Sequence, residues 1–179
     1  MRKIIIYIAA SVDGKIAKPN GNIDWLNEGL AVSKTDYGYK KFYKSIDTTL
    51  IGNNTYKKIL KFGIDFPYKG KENFVITSNK KIKQDTNVTF ISNNIIKSVK
   101  KIKEKDGKNI WLVGGGKLNS YLMKNKLVDE IKLFTMPIVL GTGIPMFNEI
   151  PINCKLELQS SKKYATGVVE LNFRCKYEK

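Results

Sequence analysis

Histidine is absent from this chain, and cysteine and arginine are scarce. The 179 residues hold no His and two Cys, and only two of the 32 basic side chains are Arg. The absence of His excludes Ser–His and Cys–His nucleophiles and imidazole metal sites. Cys154 and Cys175 form no C-x-x-C motif, so neither a zinc ribbon nor thioredoxin-like chemistry is expected. We predict no metal, and any proton transfer must use carboxylates, Tyr, Lys or water.

Long hydrophobic runs are also missing. No apolar stretch approaches the roughly 20 residues that a membrane helix needs. The first apolar run, Ile4–Ala10, is short, β-branched and followed by Asp13-Gly14, which favours a buried strand over a signal peptide. We therefore expect a cytoplasmic protein with no membrane partner, folded as one domain over residues 1–179.

The charge is strongly positive, at +16. A nucleic-acid-binding protein is one interpretation. It is disfavoured because nearly all the cations are lysines spread along the chain, whereas Arg is the residue that reads guanine edges and forks onto phosphates. The two arginines are Arg2 and Arg174. A milder consequence is that the positive field attracts anionic ligands.

Strand and helix signals alternate along the whole chain. The apolar patterns predict strands at Ile4–Ala10, Thr48–Ile51, Asn73–Thr77, Val88–Ser92, Ile110–Val113, Asp129–Met136, 154–163 and 167–177. They predict helices at 33–46, at 54–61, around Ile95–Ile102 and at 118–127, with loops at 11–32 and 138–147. This order predicts an α/β fold with a central, mostly parallel sheet of about eight strands, about four flanking helices and an antiparallel C-terminal hairpin.

The most informative segment follows the Ile110–Val113 strand. The apolar run stops at Gly114-Gly115-Gly116, and a helical pattern begins directly afterwards. Glycines at such a turn let a ligand phosphate reach bare backbone N–H groups. The alternative is a tight strand-to-helix turn with no ligand. The spacing is not G-x-G-x-x-G, so a standard Rossmann site is not predicted.

Three further polar or glycine-bearing segments follow predicted strands. They are Ala9–Ala17, Gly52–Tyr56 and Thr77–Lys81. Each could be a simple turn or cap; Asn54 or Thr55, for example, could cap a helix. Together with the triple glycine they would lie at one edge of one sheet, where open α/β sheets bind ligands. This arrangement suits an extended anionic ligand such as a dinucleotide.

In order along the chain, the motifs resemble the dihydrofolate reductase fold, a three-layer arrangement, and especially the reductase domain of the riboflavin-biosynthesis deaminase-reductase and its stand-alone relatives. The matching segments are Ala10–Ala17, Asp24-Trp25, Ile51–Tyr56, Val75–Ser78, Leu112–Gly116, Leu127–Glu130 and Pro137–Gly143. The resemblance covers essentially the whole chain. It favours a ligand-binding role for the triple glycine.

The resemblance implies NADPH as hydride donor. Gly114–Gly116 would meet the pyrophosphate, with a cis peptide at Gly114–Gly115. The helix beginning in Gly52–Tyr56 would also face the phosphates, and Ala10 and Ile16 would line the nicotinamide. The complete set of implied cofactor residues is Ala10, Ile16, Gly52, Asn53, Asn54, Thr55, Tyr56, Thr77, Ser78, Asn79, Lys80, Val113, Gly114, Gly115, Gly116, Lys117 and Leu118, with Thr77–Lys80 around the 2′-phosphate.

One departure concerns the phosphate turn. Well-studied members read Gly-Arg-x-Thr there, whereas this chain reads Gly52-Asn53-Asn54-Thr55 and has no cation at the second position. Lys57, Lys58 or Lys80 could compensate. The choice between NADPH and NADH is therefore left open.

Asp36 is the candidate catalytic residue. It lies sixteen residues before Gly52, as does the pterin-holding carboxylate of the first helix in a well-known dihydrofolate reductase. A carboxylate can grip an amino-pyrimidine edge and favour protonation of the ring nitrogen being reduced. The alternative is that Ser33-Lys34-Thr35-Asp36 is a capping box. Both can hold.

Four other residues are candidates for the substrate side. Asp13 belongs to an Asp-Gly pair that also suits a plain turn. Asp24 and Trp25 would close a loop over the ligand, or Trp25 would only anchor that loop. Phe42 would stack on the substrate ring or lie in the core.

The predicted function is an NADPH-dependent reductase that transfers a hydride to a pteridine or amino-pyrimidine type substrate. The arginines of the riboflavin enzyme's substrate-phosphate pocket are missing, and the Leu-Pro-Trp entry of dihydrofolate reductases is replaced by Ile23-Asp24-Trp25. A family member that binds a nucleotide without catalysis, and a nucleic-acid-binding protein, are the alternatives. Relatives of this kind are often dimers, so a homodimer is possible.

Overall fold

One large sheet forms the centre of the molecule. The computed structural model describes residues 1–26, 35–79, 84–149, 151 and 153–178. The strands in these ranges are β1 (Ile4–Ser11), β2 (Lys15–Ala17), β3 (Ile46–Gly52), β4 (Glu72–Ile76), β5 (Thr89–Ile91), β6 (Asn109–Gly114), β7 (Glu130–Met136), β8 (Ile144–Pro145), β9 (Lys155–Lys163) and β10 (Val169–Lys176). Eight of them form a sheet of order β5-β4-β3-β6-β1-β7-β10-β9, and β2 pairs with β8.

The strands from β5 to β7 are parallel, and β10 pairs antiparallel with both β7 and β9. β1 lies between β6 and β7 and is buried on both faces, which is why its sequence is a nearly continuous apolar run. Ile4 and Ile6 are fully buried. The predicted sheet, with its antiparallel C-terminal hairpin, is confirmed.

Helices cover both faces of the sheet. They are α1 (Tyr39–Lys44), α2 (Asn53–Leu60), α3 (Ile95–Glu104) and α4 (Gly116–Lys124), and residues 24–26 are also helical. One buried cluster contains Val99 of α3 and Leu122 of α4, and another contains Phe42 of α1 and Tyr56 of α2. This is the predicted three-layer arrangement. None of the helices in the described ranges combines the length and the apolar character that a membrane span requires.

The predicted start of one helix and two predicted loops are wrong. The helix predicted at 33–46 begins only at Tyr39, because Tyr37 and Gly38 have left-handed φ values of 50° and 80° that end any helix before them. The predicted loops 11–32 and 138–147 contain β2 and β8, which pair with each other. Strands of two or three residues are too short to produce a periodic signal in the sequence.

Candidate functional site

Two glycine turns lie side by side at the carboxyl edge of the sheet. Ile51 of β3 is in register with Gly114 of β6. A Cβ on Gly52 would lie 3.1 Å from the carbonyl oxygen of Gly114 and 3.4 Å from the amide nitrogen of Gly115. The peptide between Gly114 and Gly115 is cis, as predicted. The two turns therefore share one surface.

Each of these turns opens a helix. α2 starts after Gly52 and α4 starts after Gly115. Because each N-cap residue is a glycine, neither supplies a side chain that could cap its helix. No acidic residue stands in the first turn of either helix. Two uncapped helix N-termini, each with unpaired N–H groups and a partial positive charge, create a surface suited to an anion.

The first loop reaches the same surface through Ile16. A Cβ on Gly115 would lie 3.3 Å from the Thr55 hydroxyl and 3.9 Å from Cδ1 of Ile16. Three of the predicted cofactor residues, from three separate segments, thus converge at one point. Ala10 is buried at the end of β1, in register with Thr135 of β7.

Both helices that follow the glycine turns carry lysines: Lys57 and Lys58 lie in the last turn of α2, and Lys117 lies in the first turn of α4. The ammonium of Lys58 lies 3.8 Å from the position of a Cβ on Gly21, so it faces the first loop. Lys57 and Lys117 are exposed. Neither helix carries an acid in its first turn to offset them. Lys80 lies outside the described residues.

The other predicted cofactor residues differ in accessibility. Tyr56 and Leu118 are buried, with the Tyr56 hydroxyl donating to Asp85. Val113 is half-buried and Asn54 is exposed. Asn53 has a buried side-chain oxygen that has no hydrogen-bond partner among the described residues.

The segment after β4 lies next to the segment after β5. The Thr77 N–H donates to the Ile91 carbonyl at 3.0 Å, and the Asn79 N–H donates to the Thr77 hydroxyl at 3.1 Å. Ser78 and Asn79 are exposed. An open groove of about 770 Å³ begins at Ser92, directly after β5, and follows α3 as far as Glu104, with Tyr121 of α4 also in its lining.

Sequence reasoning did not single out this groove. Asn93, Asn94 and Ile95 line it together with Tyr121. The signal available was weak: Ser92–Asn94 is another polar segment after a strand, at the same sheet edge. The contribution of Tyr121 depends on how α4 packs, which spacing alone does not give.

Asp13 fastens the first loop to the segment after β7. Its carboxylate accepts hydrogen bonds from the backbone N–H groups of Leu140 and Gly141 at 3.0 and 2.9 Å and from the Ser11 hydroxyl at 2.7 Å. These bonds, that of Leu140 first, lower the pKa of Asp13. The geometry is that of a loop tether.

Trp25 is buried beside the loop it follows. It packs in a cluster with Tyr37, Phe134 and Met136, and its indole N–H has no hydrogen-bond partner among the described residues. The neighbouring Asp24 is exposed, its carboxylate accepting from the Asn22 amide. Buried polar groups are usually hydrogen-bonded, so this indole N–H is an exception within the described residues.

Asp36 precedes α1 and does not lie within it, which corrects the expected placement on the first helix. Its two oxygens accept from the backbone N–H groups of Gly38 and Lys40, each at 3.0 Å. These bonds, that of Lys40 first, lower the pKa of Asp36, whose side chain is exposed. Asp36 itself therefore supplies the cap of α1; Ser33 and Lys34 lie outside the described residues.

Phe42 lies in the core, which was one of its two predicted positions; the other was a place on the substrate ring. It is 5% exposed and stacks on Tyr7, with ring centroids 4.2 Å apart. Tyr7 also contacts Phe134, at a centroid distance of 4.8 Å. The rings of Tyr7, Phe42 and Phe134 thus pack together on this face of the sheet.

Of the two arginines, Arg2 is buried. Its guanidinium pairs with Asp47 and donates to the Ile102 carbonyl at 3.2 Å. The Arg2 side chain therefore stabilises the interior of the protein and is not accessible to a nucleic acid. Arg174 is exposed on β10.

Comparisons with known proteins identify the class. The fold is that of the dihydrofolate reductase-like riboflavin-biosynthesis reductases. A model of the RibD C-terminal domain matches residues 2–170. The chain is 39% identical to YwjB, an uncharacterized protein of Bacillus subtilis, over 93% of this chain and 95% of YwjB. It is 31% identical to YyaP, another uncharacterized protein of that organism, over 95% of this chain and 93% of YyaP.

Solved structures show the same similarity. A Shewanella sp. PV-4 protein named for riboflavin biosynthesis superposes with a TM-score of 0.86 at 26% identity, covering 98% of this chain and 99% of its own. A Thermotoga maritima diaminohydroxyphosphoribosylaminopyrimidine deaminase/5-amino-6-(5-phosphoribosylamino)uracil reductase shares the fold, with a TM-score of 0.72 at 15% identity over 98% of this chain and 57% of that one. The protein belongs to the RibD C-terminal domain family.

Proposed function

We propose that the protein is an NADPH-dependent reductase that transfers a hydride to a pteridine or amino-pyrimidine type substrate. The observation that carries this proposal is the convergence of Ile16, Thr55 and Gly115, from three segments, beside two uncapped helix N-termini. Family membership supports an oxidoreductase of the riboflavin-pathway reductase type. We further propose that the chain forms a single domain in the cytoplasm and acts on a small molecule. This domain could pair with a second copy as a homodimer.

The residues at the sheet edge fit a dinucleotide. The pyrophosphate would lie on the turns at Gly52 and Gly114–Gly116, where main-chain N–H groups and Lys117 would hold it. The adenosine would extend past Thr77–Asn79 toward the groove that begins at Ser92. The nicotinamide would lie against Ala10 and Ile16. When bound, the cofactor supplies the hydride.

The chain's own residues would orient the substrate beside it. Trp25 would offer its unpartnered N–H to a substrate acceptor, and Asp36, kept ionised by its hydrogen bonds, would attract a protonated ring nitrogen. Asp24 would lie at the border of this region. Phe42 would support it indirectly, because its ring stacks on Tyr7. Asp13 would hold the loop that carries Ile16.

Titration with NADPH and with NADH tests the cofactor. The protein has two Trp residues whose fluorescence would report binding. We expect saturable binding, tighter for NADPH. Lys117→Glu should weaken it about tenfold, because a charge-assisted contact near a phosphate is lost. Lys124→Glu, at the far end of the same helix, is the matched control and should change it little.

If neither NADPH nor NADH binds, the proposed function is wrong. Equal weakening by Lys117→Glu and Lys124→Glu would show a general field effect and remove the pyrophosphate placement. Binding of both nucleotides without turnover of any pteridine or amino-pyrimidine would leave the alternative, a nucleotide-binding member without catalysis. A steeply salt-dependent affinity for DNA or RNA would favour the nucleic-acid alternative.

A further inference from the structure

Asn20 and Gly21 form a tight turn in the first loop, between β2 and the helical residues 24–26. The Gly21 N–H donates to the Lys18 carbonyl at 2.8 Å, and the Lys18 N–H donates to the Asn22 carbonyl at 2.9 Å. Gly21 has a left-handed φ of 77°, which glycine adopts without strain. The Asn20 side chain is exposed. The proposed function assigns no role to this turn.

The side chain of Asn20 is folded back over the peptide that follows it. Its Oδ1 accepts a hydrogen bond from the backbone N–H of Asn22 at 2.9 Å. This is the Asx-turn pattern, which brings the side-chain amide carbon close to the backbone nitrogen of the next residue, Gly21. A hydrogen bond to Oδ1 also polarises that carbon and stabilises the oxyanion that forms when a nucleophile attacks it. The Asn20 amide is therefore an activated electrophile.

The nucleophile next to this amide is the backbone nitrogen of Gly21. Glycine has no side chain to hinder the approach of its nitrogen. The ammonium of Lys58 lies 3.8 Å from the position that a Cβ on Gly21 would occupy. No carboxylate in the described ranges pairs with Lys58 within 4.0 Å. Its positive charge therefore favours loss of the Gly21 amide proton, which creates the reactive form of the nitrogen.

We infer that Asn20-Gly21 is a self-modification site, at which the protein deamidates without an enzyme or a cofactor. The Gly21 nitrogen bonds to Cγ of Asn20 and the Cγ–Nδ2 bond breaks. The Gly21 proton passes to Nδ2 through water, ammonia leaves, and a five-membered succinimide remains. One water molecule then hydrolyses either carbonyl of the succinimide, which gives aspartate or isoaspartate at residue 20. No electrons are transferred, and the inference does not depend on the proposed function.

The modification changes both the charge and the main chain of the first loop. A neutral amide becomes a carboxylate beside Lys58, the cation of α2 that faces this loop. Isoaspartate also adds a methylene group to the main chain between Lys18 and Asn22, whose backbone hydrogen bond closes the turn. The hydrogen bond from Gly21 to the Lys18 carbonyl must open before the nitrogen can attack. The reaction is therefore slow, and its product accumulates as the protein ages.

Incubation of the purified full-length protein at mildly alkaline pH, followed by peptide mass spectrometry, tests the site. We expect the peptide that contains Asn20 to gain the mass difference between an amide and an acid. Protein isoaspartate methyltransferase should label the same peptide. Asn54, which is exposed but precedes the β-branched Thr55, is the internal control and should stay unmodified. Asn20→Gln should abolish the reaction, because the longer side chain closes a six-membered ring far more slowly.

A charge variant separates a site built by the fold from a reactive pair of residues in the sequence. Lys58→Gln should slow the modification of Asn20 about threefold in the folded protein, because a neighbouring charge is lost. The same variant should not change the rate in urea, where Lys58 is no longer held beside Gly21. Lys58→Arg keeps the charge and should keep the wild-type rate. Lys57→Gln, at the adjacent exposed lysine, is the matched control and should leave the rate unchanged.

We expect the folded protein to deamidate at a rate similar to that of the chain in urea, because the polarised amide and Lys58 offset the constraint of the turn. An Asn20 peptide that stays unmodified in the folded protein, while it reacts in urea, would show that the turn protects Asn20 and would overturn the inference. Equal slowing by Lys58→Gln and Lys57→Gln would show a general field effect and overturn the role of Lys58. None of these outcomes depends on whether the protein binds NADPH.

Discussion

The α-carbon of Gly116 faces the carbonyl oxygen of Pro145 so closely that a Cβ would overlap it. Gly116 is the first residue of α4 and Pro145 belongs to β8. The helix that begins at the glycine turn is thus packed directly against the segment that pairs with the first loop. A side chain at residue 116 would push apart two parts of the candidate site.

Gly116→Ala should lower the free energy of unfolding by about 3 kcal/mol, at the upper end of the cost of overpacking, because the obstructing atom is main chain. Chemical denaturation measures this change. Gly63→Ala is the control: Gly63 has a φ of 68° and no atom within 4 Å of its Cβ position, so only backbone strain is added. That strain costs about 1 kcal/mol. Equal losses would contradict the packing argument.

Asp36→Asn should lower turnover by about 10²–10⁴-fold if the carboxylate assists protonation of the substrate ring. The loss of NADPH absorbance, with dihydrofolate and 5-amino-6-(5-phosphoribosylamino)uracil tried as substrates, gives the rate. Asn retains one oxygen for the cap of α1, so folding should be largely kept. Asp65→Asn, at an exposed acid that pairs only with the surface Lys69 among the described residues, should leave the rate unchanged. A variant at residue 36 with full turnover would show that Asp36 is only a cap.

Asp13→Asn should destabilise the protein near neutral pH and have less effect in acid. The pKa of Asp13 in the folded protein is lowered from its ordinary 3.8. A lowered folded pKa means that its stabilisation is complete above the ordinary value and is lost as the pH falls through the folded value. Denaturation of wild type and variant at neutral and at acid pH measures the gap between them. A gap that stays constant would exclude the tether.

Arg2→Met should lower the free energy of unfolding by about 3 kcal/mol, because Asp47 and the Ile102 carbonyl lose a buried partner. Arg174→Met, at the exposed arginine, should change it by no more than about 0.5 kcal/mol. Thermal or chemical unfolding of the two variants compares them. A similar loss of unfolding free energy in both variants would contradict the argument that Arg2 stabilises the protein because it is buried.

The elements with strong periodicity were predictable from the sequence, and the weakly patterned ones were not. β1 and β6 are apolar runs that end at polar or glycine segments, so both were predictable as strands, and the burial of β1 on both faces was predictable as well; the order of the strands in the sheet was not. The start of α1 was not predictable in the same way, because Tyr37 adopts a left-handed backbone that its residue type does not announce. The β2–β8 pair depends on a contact between distant segments.

The candidate site divides along the same line. The cofactor side consists of main-chain turns after strands, and glycine positions announce these turns. The substrate side depends on which residues share a sheet face across three strands. Ala9, Phe134 and Glu170 lie side by side on β1, β7 and β10, and only the register of these strand pairings reveals it. No spacing along the chain carries this information.

The edge strand β9 is exposed along its whole length, and Leu156 and Leu158 keep 44% and 53% of their surface in contact with solvent. Detaching β9 would therefore uncover little apolar surface, so its opening costs far less than opening β1. We expect amide hydrogen exchange to be fast in β9, intermediate in β10 and slowest in β1 and β6. β9 would then open first, while β3 and β6, which end at the glycine turns, would stay folded until global unfolding.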